Sequence, residues 1–572
     1  MATVYLETFG CQMNELDSEL VRSQLRSLGH RFVDEWRSAE VVLFNTCSVR
    51  EHAESKAYSR LGWIGQRKKR GEPVVLGVLG CMAERDGPDL LRRYPQVDLM
   101  CGPGELDRLP LLIDNALRCG FESREERVAL AGDRSRRSAV LAAAEDRLEM
   151  LDLGRAFDPD AREGQAWSAY VRITRGCNKF CTYCVVPRTR GAEVHRPPDH
   201  IVEECRRLVD AGAIEITLLG QTVNHYRYTH GVSFDDAGRE APQIGPGLSA
   251  FRSGSPAGPE TTTFARLLER IHDEVPGLLR LRFVTSYPRD FGDDVFEALA
   301  SRPRLCPYVH APVQSGSDRI LRLMNRGYTV EQYRAFTERL FDRVPNATLA
   351  GDFIVGFPTE TEEDFEASLE LIRTVPFKNN FIFKYSPRPG TVAIERFEDD
   401  VPIETKKLRN NRMLAEQART SRRVHESWVG RTVDVLVERV EDESAPEEGE
   451  RVGAEFEMDG GGLRLAVIGA GAGAGAGSGL RGSAATVRRR GTAPAAALRI
   501  TGRTAGDLIV SAGVSVEVAA RPSAGPATAS MAAIDAISPG RIVQVRLDSA
   551  EPLLLRGTIV GERRDGAWRE RS

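Results

Sequence analysis

Cys177, Cys181 and Cys184 stand in the stretch RGCNKFCTYCVVPRTRG at the spacing C-x3-C-x2-C. Thiolates this close along a chain have the chemistry of metal ligands. A structural zinc site closes a tetrahedron with four protein ligands. The next cysteine, Cys205, lies well outside the group, and His195 is the one nearby imidazole that would complete a Cys3His zinc site. Three thiolates with one position open suit equally an iron-sulfur cluster that binds a further molecule at its free iron. On ligand chemistry alone both readings stand.

A second trio sits near the amino end. TVYLETFGC, EVVLFNTC and PVVLGVLGC are strand-like runs that each end in a cysteine, and the distances from Cys11 to Cys47 and from Cys47 to Cys81 are 36 and 34 residues. Helix-like stretches follow from Glu15 to Leu28, Arg50 to Lys69 and Glu84 to Arg93. Such β-α alternation implies a parallel sheet, and in open parallel sheets ligands bind outside the carboxyl ends of the strands, so the spacing can bring all three sulfurs to one edge. The plainer alternative is three small buried residues at strand ends. Cys101, at the end of VDLMC, has a similar position, whereas Cys119, Cys205 and Cys306 read as ordinary thiols.

The elements that must position these groups divide the α/β chain as follows. Residues 1–120 form the first β-α domain, and 121–165, charged and aperiodic, a linker with some helix. Strand-like runs return at SAYVRIT, IEITLLG, LRLRFVT, YVHAPV, LAGDFIVG and NFIFKYS, so 166–395 read as a partial (β/α)6 barrel with its chemistry on the loops after the strands. Cys177 follows the first of these runs. A Gly/Pro/Ser-rich stretch from Tyr226 to Thr263 reads as an inserted surface loop. A basic helical connector (396–427) leads to short strands that predict a small β-barrel over 428–563, interrupted by a low-complexity, disordered insertion at about 441–497.

Composition sets the outer bounds. With 41% hydrophobic and 28% charged residues the chain is neither disordered nor membrane-embedded in character. The opening MATVYLETFG lacks a basic stretch followed by an apolar one, and the longest nominally apolar run, LAVIGAGAGAGAG, is half glycine and too short to span a bilayer. Ten cysteines without a leader predict reduced thiols or metal ligands in a cytoplasmic protein with no membrane association. The formal charge of −4 hides a basic end, with 14 arginines against 8 acidic residues from Leu480 onward, compatible with nucleic-acid contact.

C-x3-C-x2-C after the first strand of a six-fold β-α array resembles the radical S-adenosylmethionine enzymes. TFGCQMNELDSE, FNTCSVREHAESKAYSRLG, LGCMAERDG, LLGQTVN, HAPVQSGSDRILRLMNRGYT, GDFIVGFPTETEEDF and FKYSPRPGT extend the resemblance, in this order, to the methylthiotransferase family and its tRNA 2-methylthio-N6-isopentenyladenosine synthase branch. The terminal strands resemble the RNA-binding TRAM module.

The resemblance implies two 4Fe-4S clusters, one held by Cys177, Cys181 and Cys184 and chelating S-adenosylmethionine, the other an auxiliary cluster on Cys11, Cys47 and Cys81. It implies transfer of a methylthio group to position 2 of N6-isopentenyladenosine in tRNA by a chain that acts as a monomer with electron-donor and sulfur-donor proteins. Gln221, Asn224, Gln314 and Ser315 follow barrel strands where the cosubstrate can be reached, with loop capping as the alternative, and Tyr183 can pack on the adenine or shield the cluster. Arg188 and Arg190 are expected at the tRNA backbone, or in a salt bridge within their loop. Arg188 and His195 stand where close members of the branch carry an aromatic residue and a serine. The same chemistry on N6-threonylcarbamoyladenosine or on a ribosomal-protein aspartate, and a non-catalytic zinc-stabilised RNA-binding protein, are the competing functions.

Overall fold

The computed structural model describes residues 1–48, 51–118, 127–132, 148–155, 158, 166–235, 237–245, 260–442, 454–459, 462–467, 498–513 and 537–562. Its first body is a six-stranded, all-parallel sheet. The strands are β1 (Thr3–Phe9), β2 (Arg31–Phe32), β3 (Val41–Thr46), β4 (Val75–Gly80), β5 (Leu99–Cys101) and β6 (Val128–Ala129), in the order β2-β1-β3-β4-β5-β6. Central strands covered on both faces carry continuous apolar runs; β3 and β4 are buried along their whole length. Helices α1 (Gln12–Ser27), α2 (Glu51–Lys69) and α3 (Cys81–Asp86) follow the three cysteine-ending strands. The single helix expected from Glu84 to Arg93 is two, because Gly87, at a φ of 53°, and Pro88 end α3 and start a new turn.

The stretch expected as a linker contributes to both neighbours. β6 pairs with β5 at Met100↔Val128. Helix Glu149–Arg155 lies in a buried ion network, where Arg155 reaches Glu204 at 2.5 Å and Glu19 on α1, while Arg196 holds Glu149 and Glu204 at 2.7 Å each.

The second body carries strands β7 (Ser168–Arg172), β8 (Glu215–Leu219), β9 (Arg280–Phe283), β10 (Tyr308–His310), β11 (Thr348–Val355) and β12 (Phe377–Lys384). They run parallel in chain order, as two three-stranded segments, β7-β8-β9 and β10-β11-β12, which abut where Leu281 bridges Leu305. This is the expected six-fold array. Helices between the strands close its outer side; Phe264–Glu274, for example, buries Phe264, Leu267, Leu268 and Ile271 on one stripe. The stretch from Tyr226 to Thr263 is more than a surface loop. Arg227–Thr229 pairs with Thr261–Thr263, and Gln243–Ile244 pairs with Val194–His195 beside the cysteine loop.

Helix Ile403–Glu426 leads to a closed five-stranded barrel of β13 (Thr432–Asp442), β14 (Leu498–Thr504), β15 (Ile509–Gly513), β16 (Ile542–Ala550) and β17 (Leu555–Glu562). Most of the expected disordered insertion lies outside the described residues. Ala454–Asp459 and Gly462–Val467 within it form an antiparallel hairpin. The small barrel docks on the amino ends of the large barrel's strands: Arg280 donates to Arg503 O (2.8 Å) and Asp434 O (3.0 Å), Arg282 to Thr504 O (2.6 Å), and Thr348 Oγ1 to Gly506 O (2.5 Å). Asp507, buried at this seam, faces Lys378, Arg282 and Arg503.

Candidate metal and cosubstrate site

Strand register places the first cysteine trio. Phe9 pairs with Thr46 and Thr46 with Gly80, so Cys47 and Cys81 are the residues immediately beyond the last paired row and Cys11 is two beyond Phe9. All three therefore leave the carboxyl edge of adjacent parallel strands. Cys11 caps α1, its carbonyl accepting from Asn14 N at 2.8 Å, and Cys81 opens α3. Both thiols sit at helix amino ends, where the helix field favours a thiolate.

The edge is held by a buried amide relay. Asn14 Nδ2 donates to Asn45 Oδ1 at 3.0 Å, and Asn45 Nδ2 returns to Asn14 O at 2.8 Å and to Ser18 Oγ at 2.9 Å. Gly80, at a φ of 88°, admits this packing, because a Cβ there would meet Asn45 Oδ1 at 2.4 Å and Thr46 O at 2.6 Å.

The second trio follows β7 on a loop folded against the carboxyl ends of the barrel. Gly176, at a φ of 74°, lets the chain pass Ala192, whose carbonyl oxygen would lie 1.9 Å from a Cβ. Cys177 N donates to Gly191 O at 3.2 Å. Across the loop, Thr182 N and Oγ1 donate to Met324 O (3.1 Å) and Leu323 O (2.9 Å), and Asn325 Nδ2 to Phe180 O (2.9 Å).

Arg326 completes this wall. Its Nη1 donates to Cys181 Sγ and to Tyr183 Oη, both at 3.5 Å, its Nη2 to Pro312 O at 2.6 Å and its Nε to Tyr328 Oη at 2.9 Å. Sequence reasoning passed over Arg326, although it lies inside the quoted MNRGYT.

The electrostatics fit a metal cluster. Burial pushes the Cys177 thiol up to about 12, with Glu193 and Cys181 adding to the effect. Burial likewise raises Cys184, and the neighbouring Cys181 and Cys177 sulfurs raise it further. Crowded thiols raised in this way become thiolates readily around a cationic metal such as iron or zinc. In the first trio, burial raises Cys81, Arg190 opposes the rise, and Cys11 lies close enough to add to it.

Zinc closed by His195 does not fit. His195 is buried with Nδ1 2.7 Å from Arg227 O and Nε2 2.8 Å from Glu193 Oε1, so both ring nitrogens are turned to partners other than the cysteines. Glu193, His195 and His225 make a buried carboxylate-imidazole cluster in which burial opposes the charge on Glu193 but His225 and His195 outweigh it and hold its carboxyl below the usual range. The 2.8 Å spacing is that of a hydrogen bond, shorter than the roughly 3.3 Å edge of a tetrahedral zinc site.

The remaining expected contacts separate. Asn224 is buried and spends its amide on Tyr287, donating to its carbonyl at 2.9 Å and accepting from its N–H at 2.8 Å, which is the loop-capping alternative. Ser315 Oγ accepts from Ser317 N at 3.1 Å within its own turn. Gln221 is half-buried just past β8, and Tyr183 is half-buried against Arg326. Gln314 holds a φ of 78°, keeps its backbone in register with Asp352 and Ile354, and buries an Oε1 that has no hydrogen-bond partner among the described residues. Buried acceptors are rarely left in that state in folded proteins.

Arg188 is exposed, its guanidinium lying over Gly390, where a Cβ would meet Nη1 at 2.1 Å. Arg190 contradicts its expected place at the tRNA backbone. It is buried and bonded to Asp17 and Cys81, because the loop turns its side chain into the first domain rather than toward solvent.

Known families and proteins resemble this chain along most of its length. The profile of the radical SAM superfamily matches residues 171–372, and that of the uncharacterized protein family UPF0004 matches residues 3–102. The chain is 44% identical over 437 residues, 76% of this chain and 83% of the relative, to the tRNA-2-methylthio-N(6)-dimethylallyladenosine synthase of Rhodopirellula baltica. It is 42% identical over 436 residues to the enzyme of that name from Roseobacter denitrificans, covering 76% of this chain and 88% of the relative.

Proposed function

The chain belongs to the family of tRNA-2-methylthio-N(6)-dimethylallyladenosine synthases, and from that premise we propose that it adds a methylthio group to position 2 of N6-dimethylallyladenosine (N6-isopentenyladenosine) in tRNA. Position 2 of the adenine carries an unactivated C–H bond that no side-chain base removes. Two 4Fe-4S clusters and S-adenosylmethionine would supply the radical, sulfur and methyl chemistry at such a position, while the protein supplies binding and orientation.

The residues have separable duties. Cys177, Cys181 and Cys184 would hold the cluster that binds the cosubstrate, and Cys11, Cys47 and Cys81 the auxiliary one. Arg326 donates to Cys181 Sγ and fixes Tyr183 beside it. Gln314 offers its buried Oε1 to a donor of the cosubstrate. The observation that supports the reading is that two cysteine trios each leave the carboxyl ends of parallel strands, on bodies joined where Met13 and Leu16 of α1 pack with Leu219 and Val284 of the barrel and where Arg190 of the second loop reaches Cys81.

The tRNA must span the large barrel. Its anticodon region would reach the cysteine end, near exposed Arg188, while the small β-barrel at the opposite end takes the TRAM module's part in gripping RNA. No described helix is long and apolar enough to cross a membrane. A cytoplasmic monomer served by separate electron-donor and sulfur-donor proteins completes the proposal.

Nucleoside analysis of tRNA from cells lacking the protein tests it. N6-isopentenyladenosine should accumulate without its methylthio form, and re-expression should restore that form. Loss of the methylthio group from N6-threonylcarbamoyladenosine instead would transfer the assignment to the other substrate.

A further inference from the structure

Arg190 lies on the loop that carries Cys177, Cys181 and Cys184, yet its charge is delivered to the other domain. Nε–H donates to Cys81 Sγ at 3.2 Å and Nη2 to Asp17 Oδ2 at 2.7 Å. The guanidinium is 2% exposed and its Asp17 partner 4%. Asp17 stands on α1, whose amino end is capped by Cys11, and Cys81 opens α3. One side chain from the barrel loop therefore touches a sulfur of the first trio and an anchor beside another.

Domain adhesion alone does not call for this arrangement, since a buried ion pair is weak support for stability compared with apolar packing of similar volume. Its chemistry points elsewhere. Hydrogen bonds to cluster sulfurs and the local charge set the reduction potential of an iron-sulfur centre. A positive N–H donor favours the reduced, more negative state, and in a buried site its field is little screened. The planar guanidinium can give one N–H to the sulfur and another to the orienting carboxylate, whereas a lysine offers a single point of charge.

We propose that Arg190 is a positioning residue that raises the reduction potential of the auxiliary cluster and makes that potential depend on the seating of the loop that binds the other cluster. The inference rests on the reading that Cys11, Cys47 and Cys81 hold the auxiliary cluster. Withdrawal of the loop would remove the N–H···S bond and lower the auxiliary potential.

The test uses full-length chain reconstituted anaerobically with iron and sulfide: wild type, Arg190→Gln, Arg190→Lys and Cys81→Ala. Iron per chain is measured, and both clusters are titrated potentiometrically by electron paramagnetic resonance. Arg190→Gln should keep its iron and shift the auxiliary midpoint to more negative potential, leaving the cluster on Cys177, Cys181 and Cys184 where it was. Arg190→Lys should shift it less, in the same direction.

Unchanged auxiliary midpoints in both variants would overturn the inference. So would loss of the auxiliary iron from both, which would make Arg190 a support of the fold, or an equal shift of the two clusters. If Cys81→Ala binds as much iron as wild type, the trio itself has been misread; that failure is visible without any change at Arg190.

Discussion

Gln314 shows what a single side chain can contribute. Its backbone is locked into the sheet at both N–H and carbonyl while its amide oxygen is buried and unpartnered among the described residues, so the position costs free energy until a donor arrives. Gln314→Leu removes that orphan at similar volume. Thermal stability should stay level or rise slightly, while the dissociation constant of S-adenosylmethionine should increase about tenfold or more, the equivalent of losing one hydrogen bond to a charged group at about 1.5–3 kcal/mol. A thermal melt and an isothermal titration of the reconstituted protein check the two halves, and unaltered affinity would remove Gln314 from the cosubstrate site. Asn224 looked equivalent in sequence, since each follows a strand. The distinction lay in pairing, because Asn224 is satisfied by a backbone 63 residues away. Arg190 and Arg326 were illegible for the same reason: their sulfur partners lie 109 and 145 residues distant, and no local period records such a contact.

Elements were far more legible than side-chain partners. The six cysteines could be placed because each trio occupies a fixed point of a β-α unit, and alternation alone puts those points at the carboxyl edge of a parallel sheet. What pattern did not reveal was how the elements seal to one another. At the seam between the two barrels, burial opposes ionisation of Asp507, but Lys378, Arg503 and Arg282 outweigh it and hold the carboxyl below the usual range. A depressed folded pKa contributes stability that is complete above the unfolded value, about 3.9, and is lost as pH falls through the folded one. Acid should therefore weaken this seam. Asp507→Ala strips buried Lys378 of its carboxylate and leaves Arg282 and Arg503 with only Glu215 and Glu438, and should destabilise by about 3–5 kcal/mol at neutral pH. Its melting temperature should also fall less steeply than that of wild type as the solution is acidified from pH 5 toward 3. Parallel acid profiles for the two proteins would show that Asp507 does not carry the linkage.

At the scale of the whole molecule, the loop of Cys177, Cys181 and Cys184 and the small β-barrel stand at opposite ends of one large barrel, joined by β11, whose eight residues span about 26 Å. Asp442 pairs directly with Leu498, and the hairpin Ala454–Asp459/Gly462–Val467 pairs with itself, so β13 and β14 need only a short turn between them. Deleting 445–497 and changing Glu443 and Ser444 to Asn-Gly supplies a two-residue turn that matches the twist of an antiparallel pair. Melting temperature and turnover should be unchanged, and a collapse of either would make the insertion structural. The account as a whole claims two clusters with separate duties, and one anaerobic assay addresses that claim most directly. Wild type and Cys47→Ala are each given reductant, S-adenosylmethionine and isopentenylated tRNA, and 5′-deoxyadenosine and the methylthio nucleoside are both quantified. Wild type should form both products, and Cys47→Ala should still form 5′-deoxyadenosine, because its barrel cysteines are untouched, while forming no methylthio nucleoside. Methylthiolation by Cys47→Ala at the wild-type rate would contradict the account, reducing Cys47 to a buried thiol at the end of a strand.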